Sequence, residues 1–181
     1  MFKVLKSMKM NKNENVALIY GSDTGSTEFV SDAIAVKLGL NNLAFKDIST
    51  MKISDFNDYS TLILGIPTWY IGELQTDWDD FFSEFQKINF DNKKVAFYAL
   101  GDQYGYPDNF VDGLGILAKV VLKNGGDIFG YWPNDGYDFN ESLGLAPNGM
   151  FYGLVLDEDN QREQTTERIE KWVTDIKKIL F

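Results

Sequence analysis

A loop rich in hydroxyls and backbone amides follows the first apolar run of the chain. The segment GSDTGSTE, residues 21–28, comes directly after VALIY and precedes a helical pattern. A loop at such a junction presents unpaired N–H groups and the positive end of a helix dipole, so anions bind there readily. Gly25 lets the backbone close around a small group. Neutral hydroxyl donors come from Ser22, Thr24, Ser26 and Thr27. The loop is therefore predicted to hold a terminal phosphate monoester without a formal countercharge.

Two common phosphate-binding motifs do not match this spacing. The Walker loop needs a Lys-Ser/Thr pair after its last glycine, and none is present. The pattern G-x-G-x-x-G needs glycine where Asp23 and Ser26 stand. The alternative is an ordinary turn between a strand and a helix, in which Ser or Thr caps the helix.

Two further loops follow apolar runs and carry aromatic residues. PTWYIGELQTDW comes after TLILGI, and GDQYGYPDNF comes after VAFYAL. Parallel strands bring their C-terminal ends to one edge of a sheet, and open α/β sheets bind ligands at that edge. These loops are therefore expected to lie beside the phosphate loop.

Aromatic side chains in these loops are candidates for a ring-binding slot. Trp69 and Tyr106 are predicted to face each other across a flat ring system, since loop aromatics have less packing reason to exist. For Tyr70 and Tyr104, covering the sheet end or contacting a partner explains the residue equally well. With the phosphate loop, the two aromatic walls predict a phosphorylated, ring-bearing ligand.

The elements that position these loops alternate between strands and helices. Continuous apolar runs at 16–20, 61–66 and 95–100 are typical of strands buried on both faces of a parallel sheet. Weaker strands are predicted at 43–47 and 127–131. Helical patterns occupy 27–38, 74–88 and 109–123, and a final helix carries the apolar stripe Ile169, Trp172, Val173, Ile176 and Leu180. The pattern predicts one layered α/β domain, in which residues 132–149 form a long loop or interrupt the last strand.

Composition excludes several classes of chemistry. The 181 residues include no cysteine and no histidine, which excludes thiol catalysis, disulfides and zinc sites built on those residues. A net charge of −10 argues against nucleic-acid binding. It is consistent with a basic protein partner, and equally with acidity that simply keeps a small protein in solution. No apolar run approaches the roughly 20 residues of a membrane span. Residues 1–14 lack the apolar core of a signal peptide and are expected to form a flexible tail.

The three loops and the interrupted strand together resemble the long-chain flavodoxins, from Val16 to the C-terminus. SDTGST is similar to that family's phosphate loop for flavin mononucleotide (FMN), and the two aromatic loops are similar to its isoalloxazine loops. GYWPNDGYDFNES resembles the insertion that splits the fifth strand, and VLDEDNQ its exit. The resemblance implies a single-domain three-layer α/β sandwich over 15–181, whose five-stranded parallel sheet has order 2-1-3-4-5 and an interrupted last strand.

The same resemblance implies a cofactor site for FMN. Trp69 would stack on the inner face of the flavin and Tyr106 on its outer face. Tyr70 stands where the family often has Asn or Gly, which leaves open how freely its peptide turns on flavin reduction. No catalytic residue and no metal ligand is expected. The implied cofactor-binding residues are Ser22, Asp23, Thr24, Gly25, Ser26, Thr27, Pro67, Thr68, Trp69, Tyr70, Gly72, Leu100, Gly101, Asp102, Tyr106 and Asn109.

In function, the resemblance implies a low-potential one-electron carrier that cycles between the semiquinone and hydroquinone of FMN and is not an enzyme. Its implied partners are redox proteins with basic docking faces, such as ferredoxin–NADP reductase, photosystem I or other low-potential oxidoreductases. A cytoplasmic monomer without membrane insertion is expected. The main alternative is an FMN-dependent NAD(P)H:quinone oxidoreductase on the same fold. A phosphoacceptor signalling domain fits less well, because the first strand ends in Tyr20-Gly21 and not in paired acids. A cofactor-free interaction module would leave the three loops unexplained.

Overall fold

The computed structural model describes residues 15–180, so the predicted tail over 1–14 lies outside the described residues. Within these residues, four α-helices surround the sheet: α1 (Ser26–Leu38), α2 (Thr76–Phe85), α3 (Asp112–Lys123) and α4 (Thr165–Leu180). The strands are β1 (Val16–Tyr20), β2 (Ala44–Asp47), β3 (Thr61–Trp69), β4 (Glu73–Leu74), β5 (Lys94–Leu100), β6 (Asp127–Ile128) and β7 (Leu154–Leu156). None of the helices in this part of the chain is long and apolar enough to cross a membrane.

The sheet has the predicted order, and its fifth strand is split. Parallel pairing runs β2-β1-β3-β5-β6, and β7 also pairs with β5. Strand β6 pairs with Lys94 and Val95, whereas β7 pairs with β5 from Tyr98 to Leu100. Thus β6 and β7 are two halves of one edge position, and residues 129–153 interrupt it. This confirms the order 2-1-3-4-5 when the short β4 is not counted.

The apolar runs form the core as predicted. Every residue of β1 is buried, and so are the central residues of β3 and β5. The predicted stripe of α4 is buried along its whole length, and Trp172 donates from Nε1 to the carbonyl oxygen of Gly130 at 2.7 Å. This bond joins α4 to the start of the insertion. Helix α1 packs against α4 on the sheet.

Local differences from the predicted boundaries have specific causes. Helix α2 begins at Thr76 and not at residue 74, because β4 folds back and pairs antiparallel with the end of β3. Helix α3 begins at Asp112 and not at residue 109, since Val111 takes φ 50, a left-handed conformation that a helix does not continue through. The first half of the edge strand ends at Ile128 and not at residue 131, since Gly130 takes φ 78, which is outside the range of a strand.

Candidate functional site

One cleft of about 350 Å³ lies at the C-terminal ends of β1, β3 and β5. This is the edge where ligands bind in open α/β sheets, and the volume falls within the range of small-molecule sites. All of the predicted cofactor-binding residues line it except Gly25, Gly72 and Asn109. The full lining consists of Ser22, Asp23, Thr24, Ser26, Thr27, Pro67, Thr68, Trp69, Tyr70, Leu100, Gly101, Asp102, Tyr106, Glu158 and Asp159.

The first loop is preorganised to surround an anion. Gly25 takes φ 88, so the backbone turns sharply just before α1 begins at Ser26. Ser22 Oγ accepts a hydrogen bond from the N–H of Gly25 at 3.0 Å, which closes the turn. The first-turn N–H groups of α1 have no acceptor within the helix and face this end. The loop therefore presents amide and hydroxyl donors without any Lys or Arg.

A buried glutamine ties this loop to α2. Gln75 is fully buried, and its Nε2 donates to Asp23 Oδ1 at 2.8 Å. Thr76 Oγ1 donates to the other oxygen of the same carboxylate at 3.2 Å. Gln75 also caps α2 by accepting from the N–H of Trp78. Gln75 is not among the residues predicted from the sequence, where its only signal is its position close to a helical pattern.

The first aromatic wall is the end of a strand and not a free loop. Trp69 is the last residue of β3, and its pairing with Glu73 in β4 fixes the backbone there. Trp69 Nε1 is buried and has no hydrogen-bond partner among the described residues. Tyr70 follows with φ 43, and its ring lies 5.9 Å from that of Trp69. An unpaired indole donor beside an open cleft is suited to a ligand acceptor.

The second wall depends on the carboxylate of Asp102. That carboxylate accepts from the N–H of Tyr104 at 3.1 Å, from the N–H of Gly105 at 2.7 Å and from Asn160 Nδ2 at 2.8 Å. Its carbonyl oxygen accepts from the N–H of Tyr106 at 3.1 Å. Burial raises the pKa of the Asp102 carboxyl, but the hydrogen bonds outweigh burial and hold that pKa below its ordinary value. The wall is thus built around an ionised side chain.

Two acidic residues in the cleft are not among the predicted cofactor-binding residues. Glu158 and Asp159 follow β7 and line the side of the cleft next to the first loop. Burial raises the pKa of Asp159, and the charges of Asp102 and Asp157 raise it further. Among the described residues that line the cleft, none is Lys or Arg. Within the cleft itself, the groups that stabilise a negative charge are therefore backbone dipoles and hydroxyls.

The three predicted residues outside the lining have other positions. Gly25 borders a neighbouring groove with Phe29 and Arg162. Gly72 takes φ 82, and a Cβ there would lie 2.8 Å from Asp112 Oδ2. Asn109 donates from Nδ2 to that same oxygen at 3.0 Å, so the two side chains lie together against Gly72 in the β3–β4 turn. Over the described residues no cluster of His, Cys, Asp or Glu is suited to hold a metal ion.

Comparisons with known proteins agree with this geometry. The family model described as flavodoxin matches residues 18–172. The chain is 47% identical to the flavodoxin of a Nostoc species over 165 residues, covering 91% of this chain and 96% of the relative. It is 45% identical to flavodoxin 1 of Escherichia coli over 159 residues, covering 88% and 90% of the two chains. The crystal structure of a Fusobacterium nucleatum flavodoxin bound to flavin mononucleotide superposes with a TM-score of 0.86 at 30% identity, covering 92% of this chain and 99% of that one.

Proposed function

The chain belongs to the flavodoxin family, and from that premise we propose that it carries electrons between redox proteins on non-covalently bound FMN. Flavodoxins are electron-transfer proteins and not enzymes. The observation that carries the proposal is a single cleft that joins a cation-free anion loop to two aromatic walls. Neither feature alone would select a phosphorylated flavin.

The residues present fit FMN in each of its parts. The phosphate suits the hydroxyls and amides of residues 22–27, because fixed dipoles can replace the water shell of an anion. The flavin ring suits the space beside Trp69 and Tyr106. The unpaired Nε1 of Trp69 provides a donor for the polar chain or phosphate of the cofactor. We therefore assign the cofactor to this cleft, with Gly72 and Asn109 supporting its wall and Gly25 shaping its loop.

The protein's contribution to the redox chemistry is electrostatic. FMN supplies the chemistry of accepting and releasing electrons, and the surrounding groups set how readily it does so. The carboxylates of Asp102, Glu158 and Asp159 line the cleft, and none of the described residues that line it is a cation that could offset them. Added negative charge on a bound ring is therefore disfavoured, which makes the reduced cofactor a strong reductant. We propose a low potential on this basis.

The quinone-reductase alternative is not favoured. Such an enzyme would need room and positive charge for a nicotinamide cofactor beside the flavin. Over residues 15–180 the cleft has no cationic lining residue, and the groove that adjoins Trp69 and Tyr70 contains Asp23, Glu73, Asp79 and Asp80. Phosphorylated nicotinamide cofactors would be repelled there.

As a redox carrier the protein interacts with other redox proteins, and we propose that these have basic docking faces. Acidic residues surround the exposed aromatic loops, and electrostatic complementarity of this kind speeds association. Tyr70, Ile71 and Tyr104 are exposed and supply an apolar centre. The proposed partners are ferredoxin–NADP reductase, photosystem I or other low-potential oxidoreductases. The proposed docking carboxylates are Glu73, Asp77, Asp79, Asp80 and Asp108.

A charge reversal tests this docking surface. Asp80→Lys is expected to slow electron exchange with ferredoxin–NADP reductase, and the wild-type rate should fall as ionic strength rises. Asp127→Lys makes the same charge change at the start of β6, at the opposite edge of the sheet, and serves as the control. Rates that are indifferent to salt, or equal losses in the two variants, would refute electrostatic steering at this face.

We also propose that the carrier belongs to the long-chain branch and works as a cytoplasmic monomer. The split edge strand and the insertion over 129–153 support the branch assignment. Sedimentation at several concentrations tests the monomer, and cell fractionation followed by immunoblotting tests the location.

Cofactor binding tests the central proposal. Titration of the apoprotein with FMN is expected to quench flavin fluorescence at a 1:1 ratio, because the ring stacks on aromatic side chains. The loaded protein should then pass electrons from ferredoxin–NADP reductase to a one-electron acceptor such as cytochrome c. An apoprotein that leaves FMN fluorescence unchanged would overturn the assignment of the cleft.

A further inference from the structure

We propose that Asp157 and Gln103 form a buried positioning pair that holds the Tyr106 wall of the cleft in its FMN-binding conformation, an inference that rests on the proposed function. Both residues are fully buried, and neither lines the cleft. They come from segments 54 residues apart in the chain. They are therefore positioning residues, which act on the cofactor only through the wall.

Both polar atoms of the Gln103 side-chain amide make hydrogen bonds. Its backbone N–H and its Nε2 both donate to Asp157 Oδ2, at 3.1 and 2.8 Å. Its Oε1 accepts from the N–H of Asp138 at 2.7 Å. The second aromatic loop is thus fastened to the segment after β7 and to the insertion by one side chain.

The other oxygen of Asp157 extends the connection toward the cleft. Asp157 Oδ1 accepts from the N–H of Asp159 at 3.2 Å, and from the N–H and Nδ2 of Asn160 at 3.0 Å each. Asn160 Nδ2 also donates to Asp102 Oδ1 at 2.8 Å, and the carbonyl of Asp102 accepts from the N–H of Tyr106 at 3.1 Å. A continuous set of hydrogen bonds therefore joins the buried carboxylate to the backbone of the aromatic wall.

Asparagine is not expected to preserve the hydrogen bonds that Asp157 makes. Both oxygens of Asp157 are surrounded by N–H donors, and no Lys or Arg pairs with it among the described residues. A buried carboxylate is tolerated there because those donors replace its water shell. Asp157→Asn would put an NH₂ group opposite at least one of these donors, leaving the donor unsatisfied and facing a second donor. The loop would then lose its fixed position.

The first test is a double-mutant cycle on FMN affinity. Asp157→Asn is expected to raise the FMN dissociation constant about tenfold in the wild-type background. In a Tyr106→Ala background the same change should raise it less than about threefold, because the wall through which Asp157 acts is already removed. Equal factors in the two backgrounds, or a wild-type-like dissociation constant for the single variant, would overturn the proposal.

Two further variants separate positioning from general stability. Gln103→Met keeps the hydrogen bond from the backbone N–H to Asp157 and removes only the hydrogen bonds of the side-chain amide. It should therefore weaken FMN binding while lowering the free energy of unfolding less than Asp157→Asn does. Tyr98→Phe removes a buried hydrogen bond to Ser31 at a residue that does not line the cleft. This control should lower the free energy of unfolding and leave FMN affinity unchanged. If Tyr98→Phe weakens FMN binding as much as Gln103→Met does, the loss of affinity reflects lower stability in general, and the proposal fails.

Amide hydrogen exchange of the apoprotein tests the pair without any cofactor. In Asp157→Asn or Gln103→Met the amides of Tyr104, Gly105 and Tyr106 should exchange faster, while those of β1 and β3 stay unchanged. Unchanged exchange in the loop would overturn the positioning role even if FMN binds. If the wild-type protein binds no FMN, the proposed function fails, and the exchange result still decides whether the pair holds the loop.

Discussion

Replacement of Gly25 by alanine tests whether residues 22–27 form a phosphate site. Gly25 has φ 88, and an L-residue in that left-handed region is less stable by about 1–2 kcal/mol than in the right-handed region. A Cβ at Gly25 would meet no atom within 4 Å. The penalty in G25A is therefore conformational and not steric.

This penalty must appear either in binding or in folding. If the loop of G25A relaxes in the apoprotein, FMN binding must restore the original turn. The binding free energy is then reduced by the conformational penalty of about 1–2 kcal/mol, which raises the dissociation constant of FMN by about 5- to 30-fold. If the loop keeps its turn, the same amount is lost from the free energy of unfolding. The two losses together should come to about 1–2 kcal/mol.

Calorimetric titration with FMN and with riboflavin measures the binding part, and urea unfolding measures the rest. Riboflavin has the same ring system and no phosphate, so G25A should leave its affinity unchanged. Gly149, in the insertion, has φ 79 and equally open surroundings. G149A should therefore lose stability without losing FMN affinity. If G25A weakens the binding of riboflavin and of FMN by the same factor, or changes neither the stability nor the FMN affinity of the protein, the phosphate assignment of this loop is wrong.

Three other predictions test separate parts of the structure. Tyr106→Ala should raise the FMN dissociation constant by an amount that corresponds to about 1–3 kcal/mol, whereas Tyr104→Ala, outside the cleft lining, should change it little in the same titration. Gly115→Ala should lower the free energy of unfolding, measured in urea, by about 1–3 kcal/mol, because its Cβ would lie 1.9 Å from the carbonyl oxygen of Leu143. If the free energy of unfolding rises instead, as the higher helix propensity of alanine alone would give, that contact is refuted. The lowered pKa of Asp102 means that its ionised form stabilises the fold above the ordinary pKa of 3.8 and that this stability is lost as pH falls through the lowered pKa. Unfolding of D102N should therefore depend less steeply on pH below about 4 than that of the wild type, and equal slopes would contradict the hydrogen-bonded role of the carboxylate.

The parts of the fold and site that follow local patterns could be predicted from the sequence. Apolar runs mark the buried strands, because both faces of a parallel strand are covered. Trp69 and Tyr106 come soon after such runs, so their meeting at one edge follows from the direction of parallel strands. The hydroxyl-rich loop before α1 also follows an apolar run, so its position at this edge is predictable from the direction of the parallel strands. These features need no knowledge of long-range contacts.

The supporting residues could not be predicted, because their roles depend on contacts far apart in the chain. Asp157 and Gln103 are polar residues in loop-like segments, and nothing local shows that both are fully buried against each other. Glu158 and Asp159 reach the cleft only because β7 pairs with β5. The left-handed turn at Val111 is equally hidden, since β-branched residues rarely adopt a positive φ.

Stepwise anaerobic reduction of the FMN-loaded protein, followed by visible absorption, distinguishes a one-electron carrier from a two-electron enzyme. An electron carrier of the proposed kind should take up electrons in two resolved one-electron steps and should not oxidise added NADPH. A single two-electron step, accompanied by direct turnover of NADPH, would contradict the proposed electron-carrier function and favour an oxidoreductase on the same fold.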